Sequence, residues 1–202
     1  EELEQRRHPV RRRHLDQPGE VVTQEPETPA SHADGTGRVF AAMALVGAAG
    51  LGFEVAWTRA LHLILGPSVY AFTAVLAVML TGLAVGGLAG ARLCAGPDES
   101  RRRLAINLWA LAAAGLAVIP LFTQLPFLFL EAYAAADGSF WVLQAGYLGL
   151  CALVLAVPAA LSGAAYPLAV AAAGGRAAAG PVYAWNALGA VAGALAVGHV
   201  AV

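Results

Sequence analysis

The sequence predicts an all-α fold: a polytopic transmembrane helix bundle of about five spans behind a polar N-terminal tail. Three observations carry this. Hydrophobic residues make up 59% of the 202 positions and charged residues only 12%, and the mean hydropathy is +0.67, a balance that soluble domains do not show. The charges are also segregated. Eight of the thirteen acids and six of the twelve bases precede residue 39, so the net charge of −1 averages a polar tail with an almost uncharged body and says nothing about partners. Beyond the tail, five apolar stretches each reach the roughly 20 residues that a helix needs to cross a bilayer core.

Residues 1–38 form the expected cytoplasmic tail. Pro, Glu, Gln, Arg and His without apolar periodicity predict disorder, or, if ordered, a segment lying on a partner protein or on the bundle's own cytoplasmic face. The run Arg6-Arg7-His8-Pro9-Val10-Arg11-Arg12-Arg13-His14 suits anionic lipid headgroups, while the acids around it argue against nucleic acid. Residues 39–202 form the expected bundle, with spans at about 39–62, 69–93, 104–122, 140–161 and 181–202. Gly66-Pro67-Ser68 closes the first two into a tight hairpin, and Gly96-Pro97-Asp98-Glu99-Ser100 separates the second from the third. Residues 124–135, with Pro126 near the start and Phe127, Phe129 and Tyr133 along them, read as a separate helix lying in the membrane interface. Pro167 is placed to begin another short helix that Gly174-Gly175 ends. No secretory signal opens the chain, since the first apolar run is too long and too late. A start on Glu1 and a stop inside an apolar run are expected of a processed or truncated polypeptide.

Arginine placement sets the expected orientation. Loops that stay in the cytoplasm carry the excess of basic residues. With five alternating spans, the tail arginines, Arg92, Arg101, Arg102, Arg103 and Arg176 all fall on one side. The expectation is a bacterial inner-membrane protein with its N-terminus in the cytoplasm.

Small residues supply the packing pattern. Gly82, Gly86 and Gly90 recur every fourth residue on the second span, as Gly189 and Gly193 do on the fifth. Lipid tails give helices no hydrophobic reason to associate, so stripes that allow close backbone approach hold such bundles together. On the first span Gly47, Gly50, Glu54 and Trp57 share one helical face. Glu54 is the most informative residue of the chain. A carboxylate in hydrocarbon costs on the order of 2.5–3.5 kcal/mol on the mildest scale, so it requires a partner or a task. Either it is a hydrogen-bonded residue that fixes helix register, or it binds a cation or relays protons. Asn186, on the glycine stripe of the fifth span, is a candidate partner. Arg59 lies about 140° around the helix from Glu54 and is expected to snorkel outward or reach a neighbouring helix. Tyr166 and Tyr183 complete the polar candidates. The aromatic residues near span ends, Trp57, Tyr70, Trp141, Tyr147 and Tyr183, are expected to anchor the interfaces.

Catalytic signals are missing. No Gly-rich phosphate loop, Walker motif or Cys/His zinc spacing occurs, so no enzyme activity is expected. Cys94 and Cys151 read as small apolar packing residues. His62 and His199 would both fall toward the outer side, yet neither sits at a helix centre and no second ligand pair accompanies them. No metal and no other cofactor is therefore expected.

Two blocks carry a family resemblance. The segment from Gly52 to Leu93, with Glu54, Trp57, Arg59, Gly66, Ser68 and Tyr70, resembles the opening hairpin of bacterial fused major-facilitator/spermidine-synthase proteins. Gly163, Ala164, Pro167 and Leu168, followed by Tyr183, Ala184, Asn186, Leu188, Gly189 and Ala190, resemble a second segment of the same family. The resemblance implies the membrane domain of such a protein without its aminopropyltransferase domain. The expected function is a non-catalytic membrane module that anchors a partner or missing domain, or passes it a small polar or cationic substrate. The alternative is a structural accessory subunit of a larger respiratory or photosynthetic complex, bound through the N-terminal tail. The expected surroundings are the lipid bilayer and a protein partner.

Overall fold

The computed structural model describes residues 29–65 and 69–200, and the side chains of most of these. The arginine-rich part of the tail, with its expected partner contacts, and the turn Gly66-Pro67-Ser68 lie outside the described residues. Five helices follow one another: α1 (Pro29–Leu65), α2 (Val69–Arg92), α3 (Pro97–Ala136), α4 (Phe140–Ala172) and α5 (Ala179–Val200), with a single 3-10 turn at Arg176–Ala178 before the last. No strand occurs among the described residues. All five helices contain a stretch long and apolar enough to cross a membrane. The protein is a multi-pass transmembrane helix bundle.

Two expected short helices are not separate elements. Residues 124–135 continue α3, which runs for 40 residues through Pro120 and Pro126. Residues 168–172 belong to the end of α4, which runs for 33 residues through Pro158 and Pro167. In an apolar helix a proline removes one hydrogen bond without ending the helix, because neighbouring helices and hydroxyl side chains compensate. Thr123, between the two prolines, donates its hydroxyl to the Pro120 carbonyl at 2.7 Å. Helix α3 stops where the backbone turns left-handed, at Asp137 (φ 44°) and Gly138 (φ 77°).

The packing partners are α1 with α5, α2 with α4, and α3 with α4. The bundle is thus two rows, α2–α4–α3 and α5–α1, which touch where α1 meets α4. Glycines set both main seams. A methyl built on Gly189 would overlap the Ala44 carbonyl, one on Gly193 the Ala48 carbonyl, and one on Gly47 the Asn186 carbonyl. Numbers rise together on the two helices, so α1 and α5 run parallel. The α2/α4 seam is built alike: Gly86 abuts the Ala160 carbonyl, Gly90 the Ala164 carbonyl, and Gly163 the Leu83 carbonyl.

These are the same three contacts twice. Ala44, Gly47 and Ala48 of α1 correspond to Ala160, Gly163 and Ala164 of α4. Asn186, Gly189 and Gly193 of α5 correspond to Leu83, Gly86 and Gly90 of α2. The sequences agree at five of six positions, with Ala44-Leu45-Val46-Gly47-Ala48-Ala49 against Ala160-Leu161-Ser162-Gly163-Ala164-Ala165. The tight hairpin expected of α1 and α2 is not formed, because each packs on another helix, α1 on α5 and α2 on α4. Since α1 and α4 point in opposite directions across the bundle, the α1/α5 pair and the α4/α2 pair are related by a pseudo-two-fold axis lying in the membrane plane.

Two apolar clusters fill the ends. Trp57, Ala71, Val75, Leu125, Cys151 and Val154 pack at one end. Val39, Met43, Leu104, Ala165, Leu168 and Val182 pack at the other, beside the arginines of the α2–α3 connection. That connection is tightly tied. The buried Ser100 hydroxyl bonds both the N–H and the carbonyl of Ala95 at 3.1 Å. Arg103 pairs with Glu99 at 2.9 Å and donates to the Leu93 carbonyl. Cys94, unlike the buried Cys151, is exposed rather than an apolar packing residue, and its thiol donates to the Pro167 carbonyl at 3.3 Å, joining the α2–α3 connection to α4.

Candidate functional site

Between the two clusters, where all of α1 to α4 converge, lies a cavity of about 40 Å³ lined by Gly50, Phe53, Trp57, Met79, Pro158 and Ser162, among others. It has room for a water molecule, but a buried water needs two to four polar partners. Ser162 is the only side-chain hydroxyl in the lining. Glu54 is half-buried, between Phe53 and Val55, and is not part of that lining. It lies in the last third of the α1 span Gly35–Ala60, on the side away from Arg38. Its neighbours Phe53 and Trp57 stack with ring centroids 5.3 Å apart and planes 18° apart. The local arrangement is one carboxylate beside one aromatic pair.

The expected polar partners are not gathered there. Asn186 presents its carbonyl to Gly47, and Glu54 lies seven residues further along α1, about 10 Å on the helix axis. No hydrogen bond or ion pair joins Glu54 to another described residue. The shared stripe was real on each helix, but the register between helices keeps the two residues apart. Arg59 is exposed. Tyr166 donates from its hydroxyl to the Ala179 carbonyl at 3.2 Å, bracing the α4–α5 connection, and Tyr183 is exposed. His199 is exposed with Nδ1 3.0 Å from the Leu195 carbonyl, and the His62 side chain lies outside the described residues. No group of three or more metal-ligating side chains occurs among the described residues.

Two aromatic expectations are corrected. Trp57 is buried in the core cluster rather than held at an interface, and Tyr147 is half-buried with its ring stacked on Phe129 at 5.9 Å. Both sit on helix faces that turn toward the bundle, which outweighs their distance from the span ends. Tyr70, Trp141 and Tyr183 are exposed near helix starts. One polar residue escaped the sequence reading. Asn107 donates from its side-chain amide to the Leu161 carbonyl at 2.9 Å, linking α3 to α4. A lone amide inside the 104–122 stretch was the available signal.

No protein-family model, curated protein or solved structure matches the chain.

Proposed function

We propose that the bundle is a non-catalytic inner-membrane module, oriented with its arginine-rich end in the cytoplasm, that passes a small cationic substrate to a partner or to a further domain. The observation that carries this reading is the inverted repetition of one glycine-seamed pair, α1 with α5, in the other, α4 with α2. Helix bundles built from repeats of opposite direction are a recurrent architecture of transporters, whose sites lie where the repeats meet. Here the repeats meet along α1 and α4, and α1 carries Glu54 beside the Phe53–Trp57 pair. A carboxylate and aromatic faces are complementary to an alkylammonium ion, through charge and through cation–π attraction. The resemblance to spermidine-synthase-fused membrane domains points to the same substrate chemistry, a polyamine.

The test uses radiolabelled spermidine and the purified protein in lipid nanodiscs. Wild-type protein is expected to bind it saturably. Glu54→Gln keeps the size of the side chain and removes its charge, and is expected to weaken binding at least about tenfold, the equivalent of 1.4 kcal/mol. Equal binding by the two proteins would remove Glu54 from the function, and no binding by either would remove the polyamine.

A further inference from the structure

We infer that the cleft between α1 and α3 is the seat of a sixth transmembrane helix, apolar, outside residues 1–202, and antiparallel to α1. The inference rests on the internal two-fold and is independent of any role for Glu54.

The two-fold pairs α1 with α4 and α2 with α5, and leaves α3 without a counterpart among the described residues. Helix α3 packs on a definite face of α4. Leu161 accepts the Asn107 amide through its carbonyl. Pro158 and Ser162 face Leu111 and Gly115 across the central cavity. Ala165 and Ala169 pack in one cluster with Leu104 and have no exposed surface at all. Carried over by the register of the glycine seams, these five positions are Ala42, Leu45, Val46, Ala49 and Phe53 of α1.

Those same five residues line the α1 side of an apolar cleft of about 570 Å³, whose opposite wall is α3 from Leu108 to Ile119. On α4 the face is covered; on α1 Val46 is buried, while Leu45, Ala49 and Phe53 are exposed. Leu45 is 71% exposed and Phe53 47%. A helix placed there would lie against α1 as α3 lies against α4, completing the row α5–α1 to match α2–α4–α3. Because α3 runs opposite to α4, its counterpart runs opposite to α1. A polar tail segment cannot serve, since a helix facing lipid on its outer side must be apolar over about 20 residues.

The experiment is site-specific photocrosslinking in the native membrane, with benzoylphenylalanine at Leu45 or at Phe53. Both positions open into the cleft, so the added ring requires no repacking. Leu188, exposed on α5 away from the cleft, is the control. Adducts are mapped by mass spectrometry. The expected result is that Leu45 and Phe53 both attach to one apolar stretch outside residues 1–202, with the Phe53 adduct nearer its N-terminus, while Leu188 gives lipid adducts. Attachment of Leu45 and Phe53 to lipid alone, to residues 1–202 of a second copy, to scattered sites, or to one stretch in the reverse order would each overturn the inference.

Discussion

Single residues decide how closely these helices approach. Gly86 lies on the Ala160 backbone with no room for a methyl group, whereas Gly149, also in mid-helix, has nothing within 4 Å of the same added atom. Overfilling a packed site costs on the order of 1–3 kcal/mol, while replacing an unconstrained helical glycine by alanine gains about 0.5–1 kcal/mol. Gly86→Ala is therefore expected to lower, and Gly149→Ala to keep or raise, the fraction of dodecyl sulfate at which the bundle unfolds in mixed micelles. Equal shifts in the two variants would show that backbone approach is not what the α2/α4 seam depends on. Asn107 offers a second comparison in the same assay. Interhelical polar bonds in membranes contribute about 0.6 kcal/mol on average and up to about 1.7, so Asn107→Ala is expected to cost an amount in that range by detaching its amide from the Leu161 carbonyl. The glycine stripes were legible in the sequence because their four-residue period is rare and has one main physical use. Asn107 was not, because a single amide has no period.

At the scale of elements, the sequence marked the helices by their apolar length and misread where two of them end. Prolines at 126 and 167 look like boundaries by the rules of soluble helices, yet α3 and α4 continue through them. The pairing of Glu54 with Asn186 failed for a related reason. Each stripe is a property of one helix, while the contact depends on the offset between two, and only packing fixes that offset. The internal repeat was hidden likewise: five matches in six mostly small residues gain meaning once both copies are seen making the same contacts. The register itself is testable. Val197 approaches the position where a Gly52 side chain would begin, its Cγ2 3.2 Å from the added Cβ, near the spacing a disulfide spans. In a background with Cys94→Ser and Cys151→Ala, the pair Gly52→Cys/Val197→Cys is expected to oxidise readily in the membrane, and Glu54→Cys/Asn186→Cys to stay reduced. The opposite pattern would shift α5 by about two turns along α1 and withdraw the two-fold relation with it.

The bundle has an arginine-rich end and an arginine-poor one, and that asymmetry bears on how it sits in a bilayer. Arg38, Arg92, Arg101, Arg102, Arg103 and Arg176 lie at helix ends that the alternating directions of α1 to α5 bring to one side. Within that group Arg101 pairs with Asp98 and Arg102 and Arg103 pair with Glu99, so part of the positive charge is balanced locally. These pairs are largely solvent-exposed and contribute little to stability. Orientation depends on the arginines themselves, since acidic residues hardly weigh in the positive-inside bias. Among the described residues the far side carries one arginine, Arg59 near the end of α1, with Glu131 and Asp137 near the α3–α4 connection. Single cysteines report the result in the same cysteine-free background. Ser139→Cys, in the α3–α4 connection, is expected to react with a membrane-impermeant maleimide in intact spheroplasts. Asp98→Cys, at the start of α3, is expected to react only after the membrane is opened. Were the labelling reversed, the arginine cluster would face away from the cytoplasm, and hand-over of a substrate to a cytoplasmic partner would have to be abandoned. The helix pairing would survive that result unchanged, because an axis lying in the membrane plane exchanges the two sides and is indifferent to which one is called inside.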